Sequence, residues 1–207
     1  MTDIVIEVGC NRGQDTKKLS RKYGVQVHGF EPVPELYEYL IDRYKNEEMI
    51  TISNYAIDVV NGERKFNQIA GNSRVTCDYG GSSFLELNVN ESHLTKNFNV
   101  RNIHNVQTIR IDTYLDSIKF DGKIKWLHCD AQGTDLSVLK SFGKKIKMLE
   151  GGVIECVLPA KTIYNNCDNL LKDCYIFLEE NKFEITNMKQ NNNSGSEFNM
   201  FFKKSVE

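Results

Sequence analysis

The sequence predicts an α/β fold, with one mostly parallel sheet that ends in an antiparallel hairpin. Three observations carry this expectation. The chain opens with "DIVIEVGCNRGQD": a β-branched apolar run, then Gly9, Asn11 and Gly13, then a polar run that can start a helix. A strand ending in a glycine turn at a helix N-terminus is where α/β folds hold a nucleotide-like ligand. Apolar runs of strand length then alternate with amphipathic stretches of helical spacing as far as residue 180. Finally, two strand-like runs flank a turn-rich "NNNSGS", the mark of a hairpin.

The elements follow in order. Residues 3–10 read as strand one, and 14–23 as a polar helix with Leu19 and Tyr23 inward, stopped by Gly24. "VQVHGFEP" is strand two, and "ELYEYLIDRY" a helix with Leu36, Leu40 and Tyr44 on one stripe. "ITISNYAID" is strand three, and "GERKFNQIA" a short hairpin strand. Residues 71–105 are rich in Gly, Asn and Ser and show no period, so an irregular, functional segment is expected there. "VQTIRI" is a further strand and "TYLDSI" a short helix. "KIKWLHCD" is strand four, "TDLSVLKSF" a helix ended by Gly143, and "MLEGGVIECV" strand five. Residues 168–180 form a helix with Leu171, Cys174, Tyr175 and Leu178 inward and Asp168 as N-cap. "FEITNMKQ" and "FNMFFKK" are the closing hairpin.

Composition narrows the class. The 207 residues, 40% hydrophobic and 26% charged, suit one soluble domain spanning 1–207. No apolar run reaches the ~20 residues that cross a bilayer. No basic-then-apolar leader opens the chain, so a cytoplasmic location is expected. The six cysteines form no CxxC pair or zinc spacing and read as reduced, mostly buried thiols. A net charge of -2 with no large Lys/Arg cluster argues against a nucleic-acid partner.

Two ligand classes use such a glycine turn. The dinucleotide fingerprint GxGxxG is poorly matched, because Asn11 and Gln14 stand at its second and third glycine positions. The second glycine is the one that lets the backbone approach a pyrophosphate. S-adenosylmethionine has no phosphate, and a GxNxG turn can pass under its amino-acid end. An acid for the ribose hydroxyls is present in Glu31, 22 residues after Gly9. Glu7, just before the turn, could accept hydrogen bonds from the ligand's ammonium end.

At this point the chain resembles the FkbM-type methyltransferases. "IEVGCNRG", "GFEPVP", "SNYAID", "SSF", "HCDAQGTDLSVLKSFG" and "GVIECV" occur in that family's order, from about residue 4 to beyond 180. The resemblance implies a Rossmann-like class I S-adenosylmethionine-dependent methyltransferase domain that O-methylates a sugar, glycan or natural-product hydroxyl. It implies that Gly9, Asn11 and Gly13 line the methionine end, that Glu31 binds the ribose, and that Ala56 and Ile57 border the adenine. It places Asp130 near the transferred methyl. The family block often reads Lys-x-Asp-x-Glu-Gly, whereas this chain has His128, Asp130, Gln132 and Gly133.

Methyl transfer to a hydroxyl needs alignment and a way to remove the hydroxyl proton, by a base or by an acidifying metal. The polar residues at strand ends are the candidates. Asp130 and Glu155 could bind one divalent metal such as Mg²⁺ or Mn²⁺, or divide the roles of base and orienter. Helix capping is the structural alternative for Asp130, and a hydrogen bond to a neighbouring loop for Glu155. His128 has a pKa suited to base work, or is satisfied within the sheet. His93 and His104 could reach over the site or be plain loop residues. Ser82 and Ser83 could bond a sugar or the cofactor, or simply build a turn. Tyr164 could stack on a sugar ring or pack in the core.

Other functions compete with this one. A nicotinamide-dependent oxidoreductase is disfavoured by Asn11 and would be separated by quenching of Trp126 with each cofactor. A non-catalytic nucleotide-binding module, part of a larger glycan-modifying polypeptide, is disfavoured by the retained Asp130 and Glu155. An amino-group nucleic-acid methyltransferase usually carries a Pro-Pro-Tyr-type motif after strand four, where this chain has Asp-Ala-Gln-Gly.

Overall fold

A computed structural model of the chain describes residues 2–71, 79–91, 95–159, 162–191 and 196–205. Cys77 and His93 lie outside the described residues. In chain order the first elements are β1 (Ile4–Val8), α1 (Thr16–Tyr23), β2 (Gln26–Phe30), α2 (Pro34–Tyr44), β3 (Ile50–Ser53), β4 (Ala56–Ile57) and β5 (Gly62–Gly71). Then come β6 (Phe98–Ile109), α3 (Ile111–Ser117), β7 (Ile124–Cys129), α4 (Asp135–Ser141), β8 (Gly151–Val157), α5 (Leu171–Glu180), β9 (Phe183–Gln190) and β10 (Glu197–Lys204).

The main sheet has seven strands in the order β3-β2-β1-β7-β8-β10-β9. Every pairing from β3 to β8 is parallel. The pairings of β10 with β8 and β9 are antiparallel. β1 and β8 are buried along their whole length, which is why they read as continuous rather than alternating apolar runs. On one face Leu19 of α1 packs on Val5 and Val27, and Leu40 and Tyr44 of α2 pack with Cys10 and Ile52. On the other, Leu115, Leu139 and Leu178 of α3, α4 and α5 cover Ile4, Ile6 and Val8. The chain moves from β1 to β2 and β3 on one side, and later to β7 on the other. The strand order therefore reverses between β1 and β7, and ligands of open α/β sheets bind beyond the strand ends at such a point.

A second sheet, in the order β4-β6-β5, stands beside this point and corrects two sequence expectations. The expected third strand divides: β3 pairs with β2, while after Asn54 and Tyr55 the chain leaves the main sheet and β4 pairs with the end of β6. The expected irregular segment is also shorter, because residues 98–105 are the first part of β6 and pair antiparallel with β5. Most of those residues are exposed, so no buried face imposes a period and only backbone pairing forms the strand. Residues 79–91 do follow an irregular path, apart from one 3-10 turn at Val89–Glu91.

The helix expected over 168–180 begins at Leu171, after Leu170 rather than Asp168. The preceding residues are drawn to the sheet, with Val157 N–H donating to Asn169 C=O at 3.0 Å. The Asp168 carboxylate instead accepts from the Ser137 hydroxyl. Tyr175 does not face inward; it is 44% exposed, whereas Cys174 and Leu178 are buried.

His28, on β2, is buried, with its Nδ1 2.6 Å from the Tyr114 hydroxyl. Burial lowers its pKa to about 4, since the charged ring loses its hydration. A depressed histidine pKa favours the folded state above the unfolded value, and that support is lost as pH falls from about 6.5 toward 4. Integrating this linkage, lowering the pH from 7 to 5 removes about 2 kcal/mol through His28. Denaturant titrations of native protein and His28→Gln at both pH values check this: the native-minus-variant difference shrinks at pH 5, and an unchanged difference refutes the assignment.

Candidate active site

The glycine turn is built from backbone constraints. Gly9 has φ +81°, and a Cβ there would meet the Asp130 carbonyl oxygen at 2.2 Å. Asn11 also adopts positive φ, at 48°. Gly13 has φ +73°, and a Cβ there would meet the Tyr44 hydroxyl at 2.4 Å. That hydroxyl donates to the Gly13 carbonyl at 2.8 Å, so α2 clamps the turn. Gly9→Ala combines an unfavourable backbone conformation with a backbone clash, and is expected to cost about 2 kcal/mol or more. Chemical denaturation measures this, and a loss below about 0.5 kcal/mol contradicts it.

Glu31 lies at the end of β2 and is 4% exposed. Its Oε2 accepts from Asn11 N–H at 2.7 Å and its Oε1 from Val33 N–H at 2.9 Å. These two bonds tie the end of β2 to the glycine turn and fix the carboxylate. Burial pushes its pKa up to about 7, helped by the charges of Glu7 and Asp130 and opposed by the two N–H donors.

Between the two sheets is a cavity that opens to solvent. Gly9, Asn11 and Glu31 line one part of it, Ala56 and Ile57 a second, and Ser82 and Asp130 a third. The half-buried rings of Tyr55, Tyr79 and Phe84 add an aromatic wall. No Lys, Arg or His lines it among the described residues. Asp130 sits just beyond β7, where its N–H still donates to Val8 C=O at 3.1 Å and its side chain is exposed. Its Oδ1 accepts from Gln132 Nε2.

Several sequence-predicted residues lie elsewhere. Glu7 and His128 are opposite each other on β1 and β7, beneath the turn, with Oε1 and Nδ1 3.9 Å apart. His128 opens into a separate hollow beside α1, with Asp15, Lys22 and Trp126, so it does not face the cavity with Asp130 as expected. Burial lowers its pKa, but Glu7, Asp15 and Asp130 outweigh that and raise it overall. Glu7 Oε2 and Asn11 Oδ1 are buried without a hydrogen-bond partner. Buried polar atoms of this kind mark places where a ligand or water bonds.

Glu155 does not line the cavity either. It is 6% exposed, with Oε1 accepting from Asn191 Nδ2 at 2.5 Å. Burial pushes its pKa up to about 10, and Asp130, Asp135 and Glu197 add to the shift. Its charged form is thus disfavoured, and the group does not face the cavity. Ser83 is fully buried, its hydroxyl donating to Gln132 C=O at 2.7 Å. Tyr164 is 3% exposed and packed against Gly133, which leaves no open face for a sugar. Its hydroxyl, rather than its ring, reaches the site, 2.8 Å from Gln132 Oε1. His104 lies on β6 and bonds Gln68 Oε1 at 2.8 Å.

Sequence reasoning missed Asp135, and read Gln132 only as a departure from the family block. Asp135 is fully buried and accepts from Ala131 N–H, Glu155 N–H and Asn169 Nδ2, so it joins the ends of β7 and β8. Burial first, then the charge of Asp130, raises its pKa to about 7. Its place two residues after Gly133, at the first turn of a helix, reads as an exposed capping acid. Asp130 and Glu155 are not part of any group of three or more His, Cys, Asp or Glu side chains able to hold a metal ion among the described residues. No helix among them is long and apolar enough to cross a membrane.

Comparisons with known proteins fit this geometry. Fibrillarin from Aeropyrum pernix, crystallised with natively bound S-adenosyl-L-methionine, superposes with a TM-score of 0.54 at 8% identity. That match covers 97% of this chain and 66% of fibrillarin, so the chain spans just under two thirds of that protein. An rRNA methylase from Streptococcus thermophilus gives a TM-score of 0.51 at 14% identity, covering 99% of this chain and 87% of that one. The magnesium protoporphyrin IX methyltransferase of Synechocystis PCC 6803, with bound SAM, gives 0.50 at 9% identity, covering 97% and 69%. At such identities the likeness is one of fold. No curated protein matches the chain in sequence. A model of the methyltransferase FkbM domain matches residues 7–199, from the acid before the glycine turn to the last strand of the sheet. The fold and the turn thus sit inside one family's pattern, and the chain belongs to the FkbM methyltransferase family.

Proposed function

We propose that this protein is an S-adenosylmethionine-dependent O-methyltransferase acting on a hydroxyl of a sugar, glycan or natural product. The observation that carries the reading is one cavity that joins the glycine turn, the Glu31 carboxylate and Asp130. The residues fit the cofactor. Glu31 lines the cavity with its carboxylate fixed by two backbone N–H groups, which suits a ribose acceptor, Ala56 and Ile57 offer an apolar edge to adenine, and the unpartnered Asn11 Oδ1 suits an ammonium end. The SAM-bound fold relatives support the same assignment. When bound, S-adenosylmethionine supplies an electrophilic methyl group on a sulfonium.

Asp130 is the base of this reading. One of its oxygens is occupied by Gln132, which leaves the other to take the acceptor hydroxyl's proton. Tyr55, Tyr79 and Phe84 provide faces for a sugar ring, while the Ser82 hydroxyl is engaged within the loop, donating to Tyr79 C=O at 2.7 Å and accepting from Ile69 N–H at 3.1 Å. Acidic side chains without a lining cation favour a neutral acceptor over a phosphate-bearing one. Incubation with S-adenosylmethionine labelled in its methyl group, together with neutral sugars, sugar phosphates or short RNAs, tests this. Label on a neutral sugar hydroxyl is the expected result; transfer to RNA alone overturns the substrate class.

A further inference from the structure

We propose that the outer edge of β9 is a self-complementary interface through which two copies of this chain pair, joining their main sheets antiparallel about a two-fold axis at Asn187. β9 closes one end of the main sheet, and among the described residues no strand pairs with its outer side. It is 8 residues long, and Thr186 to Gln190 are exposed in succession. Such an edge presents a row of backbone N–H and C=O groups that a second strand can pair. Proline, which would block that pairing, does not occur in it, and Lys189 is its one cation.

The register within the sheet gives the face of each side chain, because residues opposite one another in an antiparallel ladder share a face. Ile185 and Met188 lie opposite Phe202 and Met200, whose side chains are in the core with Cys174 and Leu178 of α5. Glu184, Asn187 and Lys189 lie opposite Lys203, Phe201 and Asn199. They are on the other face, where Phe201 and Asn199 line the hollow beside α1. Side chains alternate along a regular strand, so residues 184, 187 and 189 could not share a face in one. The irregularity between Phe201 and Phe202 leaves Thr186 as an extra residue in β9, and this bulge brings the three to one side.

A two-fold axis at Asn187 then matches the edge to itself. Glu184 stands opposite Lys189 of the partner subunit, Ile185 opposite Met188 of the partner subunit, and Asn187 opposite its own copy. Opposite charges meet twice and apolar side chains meet twice, each pair on one face of the joined sheet. Glu184 Oε1 also holds Lys203 at 2.7 Å, and both side chains are about half exposed, so the other carboxylate oxygen can take a second lysine. Met188 is 41% exposed in the single chain and loses that exposure against Ile185 of the partner subunit. Tyr175 and Ile176 of α5, which lies on the same face, are 44% and 40% exposed and extend its apolar area. β8 and β10 separate β9 from β1 and β7, where the cavity lies, so pairing leaves the cavity open.

Gel filtration with light scattering, and sedimentation equilibrium for the dissociation constant, test this on the full chain at low ionic strength. Native protein is expected at twice the chain mass of 23.8 kDa, moving toward the single mass on dilution or with added salt. Glu184→Lys or Lys189→Glu sets like charges opposite one another twice, and either is expected to raise the dissociation constant by about tenfold or more. Lys189→Glu leaves the Glu184–Lys203 pair intact, so its effect is not one of damage within the chain. An equimolar mixture of the two single variants opposes unlike charges again and is expected to form a mixed dimer of native affinity. A native chain that stays monomeric at every concentration overturns the inference. So do single variants that dimerise like native protein, and a mixture that associates no more tightly than its components.

Discussion

Asp130→Asn is expected to lower the rate of methyl transfer by about 10²–10⁴-fold, the contribution of a positioned general base, and to leave S-adenosylhomocysteine affinity nearly unchanged. Asn keeps the shape of Asp and can still accept from Gln132 Nε2, so the local bonding survives while the proton acceptor is lost. The alternative bases are poorly placed. His128 opens into the hollow beside α1, and Glu155 is buried against Asn191 with its pKa near 10. Single-turnover measurement with an accepted sugar gives the rate, and calorimetry gives the affinity. EDTA added to native protein separates base from metal-assisted chemistry, since only the latter responds. A native rate in Asp130→Asn passes the proton-accepting role to another group.

The parts of this fold that are legible in sequence are those where burial or backbone geometry restricts residue type. Ile4–Val8 reads as a central strand because both faces are covered. Gly9 and Gly13 read as a turn because a side chain at either would strike Asp130 or Tyr44. Glu31 reads as a site acid because its distance from Gly9 is set by one β/α unit. The start of β6 is illegible for the opposite reason: residues 98–105 are mostly exposed and held by backbone bonds to β5, so their side chains carry no period. Tyr164 reads as an aromatic near the acceptor loop, but its use is as a hydroxyl bonded to groups 32 and 83 residues away. Contacts over such separations leave no local pattern. Asp135 is hidden similarly, since its buried role depends on Asn169 and on the Glu155 backbone.

Glu31→Ala is expected to weaken S-adenosylhomocysteine binding by on the order of a hundredfold. Two losses combine. The ribose hydroxyls lose their carboxylate, and hydrogen bonds to a charged group are worth about 1.5–3 kcal/mol each. The Asn11 and Val33 N–H groups also lose their acceptor, which frees the glycine turn from the end of β2. Glu31→Gln separates these effects, because it keeps one acceptor oxygen and the side-chain volume but cannot accept from both N–H groups. Its affinity falls between those of native protein and Glu31→Ala. The pH dependence follows from the same group. With a pKa of about 7 in the folded chain, Glu31 is ionised above neutrality and protonated below it. A protonated carboxyl surrenders one acceptor, so native affinity rises as pH increases through 7 and levels off once the group is ionised. The alanine variant lacks that step. Calorimetric titrations at pH 6 and 8 read both results. Equal native and Glu31→Ala affinities at pH 8 remove Glu31 from the ribose, and a native affinity that does not change between the two pH values assigns the nearby titration to another carboxylate.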